Sequence, residues 1–157
     1  MIQFTRCYRF PAAHVLSSPR LSERENRRIF GPCANPSGHG HDYRVEVTVA
    51  GPVDEDTGRI VSPEVLDEIF DQTIRDVYSH RLLNDLDGFS ERPPTAENLG
   101  QAMFCALVPA LARRSRARLA RVRIRETSRS YFDYGFDDHG FDDHGFDDHG
   151  FDDGGMG

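Results

Sequence analysis

Cys33-Ala34-Asn35-Pro36-Ser37-Gly38-His39-Gly40-His41-Asp42-Tyr43 opens as a loop and closes as a strand. Pro, Asn, Ser and Gly crowd its first half, and none of them favours a regular element. From His39 the pattern alternates. His39, His41, Tyr43, Val45, Val47 and Val49 share one parity, and Gly40, Asp42, Arg44, Glu46 and Thr48 share the other. Residues two apart in a strand point the same way, so both imidazoles project from one face.

A third histidine closes Phe10-Pro11-Ala12-Ala13-His14, and Ile2, Phe4, Tyr8, Phe10, Ala12 and His14 again have one parity. If this first strand, residues 2–14, pairs with the second, His14 reaches the His39/His41 face. Imidazole suits zinc, and three histidines without a fourth protein ligand leave a position for water or substrate. Cys33 lies six residues before His39. Spacing leaves three roles open to it: a fourth ligand that closes the site, a thiol activated beside a metal, or an inert buried thiol.

The chain has 157 residues, the length of one domain. All 19 basic residues are Arg, which reads as a coding bias. The formal charge of −7 comes from one end, because residues 136–157 hold eight Asp and no Arg; 18 acidic residues then face 19 arginines in the body. Neither a nucleic-acid footprint nor an acidic surface survives that subtraction. No basic-then-apolar leader and no apolar run of spanning length occurs, so a cytoplasmic protein without membrane partners is expected. Cys7, Cys33 and Cys105 are odd in number and scattered, which argues against a disulfide framework. Cys105, in an apolar helical stretch, is expected in the core.

Residues 15–32 read as a polar connection with a helical turn over Leu21–Ile29 and solvated arginines. The second strand runs to about Ala50, and Gly51–Gly58 reads as a turn into a short strand, Arg59–Val61. Ser62, Pro63 and Glu64 start a helix. Val65, Leu66, Ile69, Phe70, Thr73, Ile74 and Val77 form its apolar face, and it ends near Tyr78-Ser79-His80. Thr95 caps a second helix with Glu97 in its first turn, Leu99, Met103, Ala106 and Leu107 inward, and an end or kink at Pro109. In Leu119–Thr127, Ala120, Val122, Ile124 and Glu126 share the inward parity, and Arg121, Arg123 and Arg125 the outward one. Glu126 is then an inward carboxylate that needs a partner. Residues 136–150 repeat Phe-Asp-Asp-His-Gly three times, with a degraded copy after them and a worn precursor in Phe132–Gly135. Such a tail cannot bury a core, so disorder is expected over 135–157.

Phe-x-Ala-Ala-His, Cys-x-Asn-Pro-x-Gly-His-Gly-His-x-Tyr, Pro-Thr-Ala-Glu-Asn and a late Glu-Thr stand here in the order that resembles the 6-pyruvoyl-tetrahydropterin synthase / 6-carboxytetrahydropterin synthase family, over residues 1–134. The resemblance implies an α+β tunnelling fold: a small antiparallel sheet with two helices on one face, joined as a homo-oligomer (trimer or hexamer) into barrels with active sites between subunits. It implies His14, His39 and His41 as Zn2+ ligands and Cys33 as the catalytic thiol. It further implies Thr95, Glu97 and Glu126 as pterin-binding residues, Glu126 anchoring the ring. The family's Asp-His-x-x-Leu-Asn reads Ser79-His80-Arg81-Leu82-Leu83-Asn84 here. His80 matches as the thiol's catalytic partner; the aspartate that would orient and charge-stabilise it is replaced by Ser79. On residues alone, His80 is a helix-end histidine favoured by the dipole.

The implied activity is a zinc lyase on 7,8-dihydroneopterin triphosphate. Two products divide the family: 6-carboxytetrahydropterin, with acetaldehyde and triphosphate leaving, on the way to queuosine and other deazapurines, or 6-pyruvoyl-tetrahydropterin, with triphosphate alone leaving. The Asn-Pro insertion between Cys33 and His39 resembles the pyruvoyl branch; the bacterial character of an Arg-only chain favours the carboxy branch, which is the reading adopted from sequence. A non-catalytic zinc- and pterin-binding protein is the alternative that Ser79 raises, and a structural Cys-His-His-His zinc module is a third.

Overall fold

The structure, a computed structural model, describes residues 2–127 and 129–135. The Phe-Asp-Asp-His-Gly repeats from 136 onward lie outside the described residues.

Strands β1 (Ile2–His14), β2 (His39–Gly51), β3 (Arg118–Arg125) and β4 (Phe132–Gly135) form one antiparallel sheet in chain order. The first pairing sets Phe10 against Tyr43, Ala12 against His41 and His14 against His39. Alternation therefore survives from sequence to structure: Phe10, Tyr43, Val45, Val47, Val122 and Ile124 are all buried on the same face. Among the described residues, three longer helices flank the strands. Helix α1 spans Glu23–Phe30. Helix α2 begins as Pro63–Phe70, passes through a π-helical stretch Asp71–Arg75 and ends as Asp76–Tyr78. Helix α3 spans Ala96–Ala112. Leu66, Ile69, Phe70 and Ile74 of α2 and Leu99, Met103, Leu107 and Leu111 of α3 close the core over the sheet. This is the α+β layer expected from sequence, with two main helices on one face.

Several local expectations change. Arg59–Val61 is not a strand: the Asp54 N–H donates to the Arg59 carbonyl at 2.9 Å and the chain turns there. Both edges of β2 are already taken by β1 and β3, so a strand folding back onto β2 has no open edge there. Ala120 does not carry the inward parity through β3. Thr48 pairs with Arg121 but Val49 with Leu119, so Ala120 is the extra residue of a bulge, and Leu119 and Ala117 take the buried positions. The π-helical stretch inserts a residue into α2 and turns Val77 outward, 40% exposed, while Tyr78 goes in. Helix α3 runs through Pro109 to Ala112, and Cys105 lies on its exposed side. Phe132–Gly135, read as a worn repeat, is strand β4; Asp133 takes Nε and Nη2 of Arg123 at 2.6 and 2.7 Å.

No helix among the described residues is long and apolar enough to cross a membrane.

Candidate metal centre and its outer groove

The end of β1 and the start of β2 deliver three imidazoles to one place. The ring centroids of His14, His39 and His41 lie 4.6 to 4.9 Å apart. His14 is fully buried. Its Nε2 stands 3.1 Å from His39 Nε2. Its Nδ1 lies 3.1 Å from the carbonyl of Pro94 and 3.1 Å from the Tyr43 hydroxyl. A carbonyl only accepts, so the proton belongs on Nδ1, and Nε2 turns a bare lone pair toward the centre. Burial pushes both His14 and His41 below the ordinary imidazole range. Neutral imidazole is the form that binds a metal.

The loop before β2 is built to hold Cys33 nearby. Residues Gly31–Ala34 form a 3-10 turn, and the Leu16 N–H donates to the Cys33 carbonyl at 2.8 Å, tying it to the exit of β1. Asn35 then closes a turn: its carbonyl takes the Gly38 N–H at 2.9 Å and its side chain the Ser37 N–H at 3.0 Å. Gly38 has φ +67°, and a Cβ there would lie 3.3 Å from the His14 carbonyl. The half-buried Cys33 has a thiol raised by burial and then by the Glu126 charge.

Glu126 follows β3 on the inward side. Its Oε1 reaches 3.3 Å from His14 Nε2 and 3.2 Å from His41 Nε2. His14, Cys33 and His39 offer ligand atoms within 4.8 Å of one another, as do His14, His41 and Glu126. His41 Nε2 and Glu126 Oε1 are buried without a hydrogen-bond partner. Neutral nitrogen and carboxylate donors, orphaned and turned inward, fit a divalent cation.

Sequence reasoning grouped the three histidines with Cys33 and set Glu126 apart as a pterin anchor; the structure assembles all five. It placed Thr95 and Glu97 less closely. Thr95 caps α3, accepting from the Asn98 N–H at 3.4 Å, and Glu97 is exposed; it is the preceding Pro94 whose carbonyl touches the centre. Tyr43 and Pro94 were missed as partners of His14. The parity shared by Tyr43 and His41 was the available signal for the first; no sequence signal pointed to a prolyl carbonyl 80 residues away.

His80 stands apart. It follows α2 with φ +59°, the one non-glycine with positive φ among the described residues. Its N–H donates to the Pro11 carbonyl at 2.7 Å, and the Ala13 N–H to the Arg81 carbonyl at 2.9 Å. Residues 80–82 thus run beside the free edge of β1, opening on a concavity of about 580 Å3 with Pro11, Gly40, Asp42 and His41. Asn84 secures this segment: its side chain takes the Val15 N–H at 2.8 Å and returns a bond to the Val15 carbonyl at 2.9 Å. Within one chain, His80 and Cys33 line different places.

A family model described as 6-pyruvoyl tetrahydropterin synthase matches residues 3–136. The 6-pyruvoyl tetrahydrobiopterin synthase of Drosophila melanogaster is 37% identical over 131 residues, covering 83% of this chain and 77% of its own. The 6-carboxy-5,6,7,8-tetrahydropterin synthase of Bacillus subtilis is 32% identical over 113 residues, 69% of this chain and 73% of its own. The solved structure of Caenorhabditis elegans 6-pyruvoyl tetrahydropterin synthase superimposes with a TM-score of 0.80 at 34% identity, over 87% of this chain and 96% of that one. Sheet order, histidine cluster and these likenesses agree, and the chain belongs to the 6-pyruvoyl tetrahydropterin synthase family.

Proposed function

We propose that the protein is a zinc-dependent lyase acting on 7,8-dihydroneopterin triphosphate. The observation that carries this reading is the convergence of His14, His39, His41, Cys33 and Glu126. His14, His39 and His41 would hold the metal, whose chemistry at such a site is polarisation of substrate oxygens and acidification of neighbouring C–H bonds. Cys33, half-buried beside the histidines, takes and returns protons between ring and side chain. Glu126 accepts the paired N–H donors of the pterin. His80, exposed beyond β1, is offered to a neighbouring copy; a homo-oligomer with active sites between subunits places it against that copy's Cys33.

Two products remain in view, and separate observations favour each. The Asn-Pro insertion after Cys33, together with the higher identity to the Drosophila melanogaster and Caenorhabditis elegans proteins, supports 6-pyruvoyl-tetrahydropterin as the first reading. The Bacillus subtilis likeness and the Arg-only chain support 6-carboxytetrahydropterin. Mass analysis of the products from zinc-loaded full-length protein and 7,8-dihydroneopterin triphosphate decides. A pyruvoyl product, or a carboxy product with acetaldehyde, establishes the lyase and its branch. Bound pterin with no turnover would mean that Ser79 has left a binding protein.

A further inference from the structure

The face of the sheet turned away from the helices carries a row of like charges. Arg9 of β1 lies opposite Arg44 of β2, and Arg44 lies opposite Arg125 of β3. Side chains directly opposite in an antiparallel sheet stand about 4.5–5.5 Å apart at Cβ, and like charges there repel. Glu46 relieves one end of the row, accepting from Arg125 Nε at 2.9 Å. Asp133 takes Arg123 at 2.6 Å and stands 3.9 Å from Arg121, whose Nε is buried without a hydrogen-bond partner. These two carboxylates are shared among the arginines of β3, and none is left for the rest of the row. Arg9 and Arg44 are exposed, and neither guanidinium has an ion pair or a hydrogen bond among the described residues. Asp42, two residues before Arg44 on the same face, makes no ion pair with either.

The missing counter-charge stands at the end of the chain. Strand β4 stops at Gly135, opposite Arg121. Residues 136–157 follow it directly and hold eight Asp and no Arg. With strands about 4.8 Å apart and about 3.3 Å per residue, Arg9 is on the order of 20 Å from Gly135, within reach of residues 136–145. Gly140 lets the chain turn back along the face. Each repeat also offers a phenylalanine beside its two carboxylates. The face already stacks guanidinium on an aromatic ring, with Arg123 at 3.9 Å and Arg125 at 4.9 Å from the Tyr131 centroid. A phenyl ring of the tail gives Arg44 the same surface. Single exposed ion pairs are weak, but a tethered partner meets its site at high effective concentration.

We infer that the Phe-Asp-Asp-His-Gly tail docks on the Arg9–Arg44–Arg125 row of its own chain and neutralises it. The inference is independent of the metal centre, because Arg9 and Arg44 have the opposite strand parity to His14, His39 and His41.

The test compares chymotrypsin cleavage after Phe141 and Phe146 in the full-length protein with cleavage of a free peptide of residues 136–157, both followed by mass spectrometry. The peptide removes the direct effect of salt on the protease. At about 0.02 M NaCl the chain should be cut about tenfold more slowly than the peptide, and at about 0.5 M the two rates should converge. Arg9→Gln/Arg44→Gln should lose most of the protection at low salt. Protection that survives in this variant, or at high salt, would place the tail elsewhere and overturn the proposal. Equal rates for chain and peptide at low salt would overturn it as well; inorganic polyphosphate held by wild type and released by the variant would then give the row to an outside polyanion. Should the double variant fail to fold, Arg44→Gln alone decides. It removes the middle charge of the row and should lower the protection about threefold, and unchanged protection would refute the docking.

Discussion

His14 donates from Nδ1 to the carbonyl oxygen of Pro94 at 3.1 Å, joining the last residue of β1 to the residue before the cap of α3. The contact fixes the tautomer of a fully buried ring and aims its free nitrogen into the cluster. The Tyr43 hydroxyl lies at the same distance from the same nitrogen. Tyr43→Phe removes that oxygen and no packing volume. It should cost about 1 kcal/mol of stability in urea and lower metal affinity by roughly tenfold in chelator competition. Unchanged affinity would show that Pro94 alone holds the ring.

Gly38 sits at φ +67° with the His14 carbonyl 3.3 Å from where a Cβ would be. Gly38→Ala should destabilise the protein by roughly 1–2 kcal/mol through the left-handed backbone alone. The urea midpoint reads this directly. Metal affinity should fall with it, since the turn carries Cys33 and His39 into place.

His80 also has a left-handed backbone, φ +59°, but its side chain is exposed. Asn tolerates this conformation nearly as well, so His80→Asn should leave stability within ~0.5 kcal/mol. Turnover should drop by ~10²–10⁴-fold if the imidazole moves protons. Ser79→Asp is the complementary gain: a carboxylate beside His80 should raise kcat with little change in Tm. A kcat unmoved by both substitutions would remove this segment from the chemistry.

Asp67 of α2 takes Arg6 Nε at 2.8 Å and the Tyr8 hydroxyl at 3.0 Å, with Arg75 also nearby in charge. Hydrogen bonding from Arg6 holds its carboxyl below the usual carboxylate range. Its contribution is therefore complete above the unfolded value of about 3.9 and is lost as pH falls through the lower folded value. Burial, then the Asp67 bond, pushes the Tyr8 phenol up. That contribution is present below about pH 10 and fades as pH rises through the higher folded value. Thermal melts against pH should show wild type losing stability at both extremes, and Asp67→Asn should flatten the acid limb. An acid limb unchanged in Asp67→Asn would assign the loss to other carboxylates.

Period-two alternation made β1, β2 and the shared histidine face legible, because each strand packs one side on a core. Where the period breaks, the sequence was silent. The bulge at Ala120 depends on how β3 meets β2, and the π-helical stretch that turns Val77 outward leaves the apolar spacing of α2 almost unaltered. Glu126 was legible as an inward carboxylate but not as a neighbour of His14 and His41. That contact depends on the β2–β3 register across some 80 residues, which no local pattern encodes. The left-handed His80 escaped as well, since a helix-end histidine looks alike whether or not the chain reverses after it.

Residues 80–82 also have a bearing on how copies of this chain can meet. By spending the outward hydrogen-bonding groups of Pro11 and Ala13 on itself, the molecule leaves the outer margin of β1 available only toward its N-terminal half, where Gln3, Thr5 and Cys7 continue the same alternation. A strand laid along that margin meets a stop before it reaches His14. The stop confines docking to a short run of positions, and it resists the sliding to which an open edge is prone.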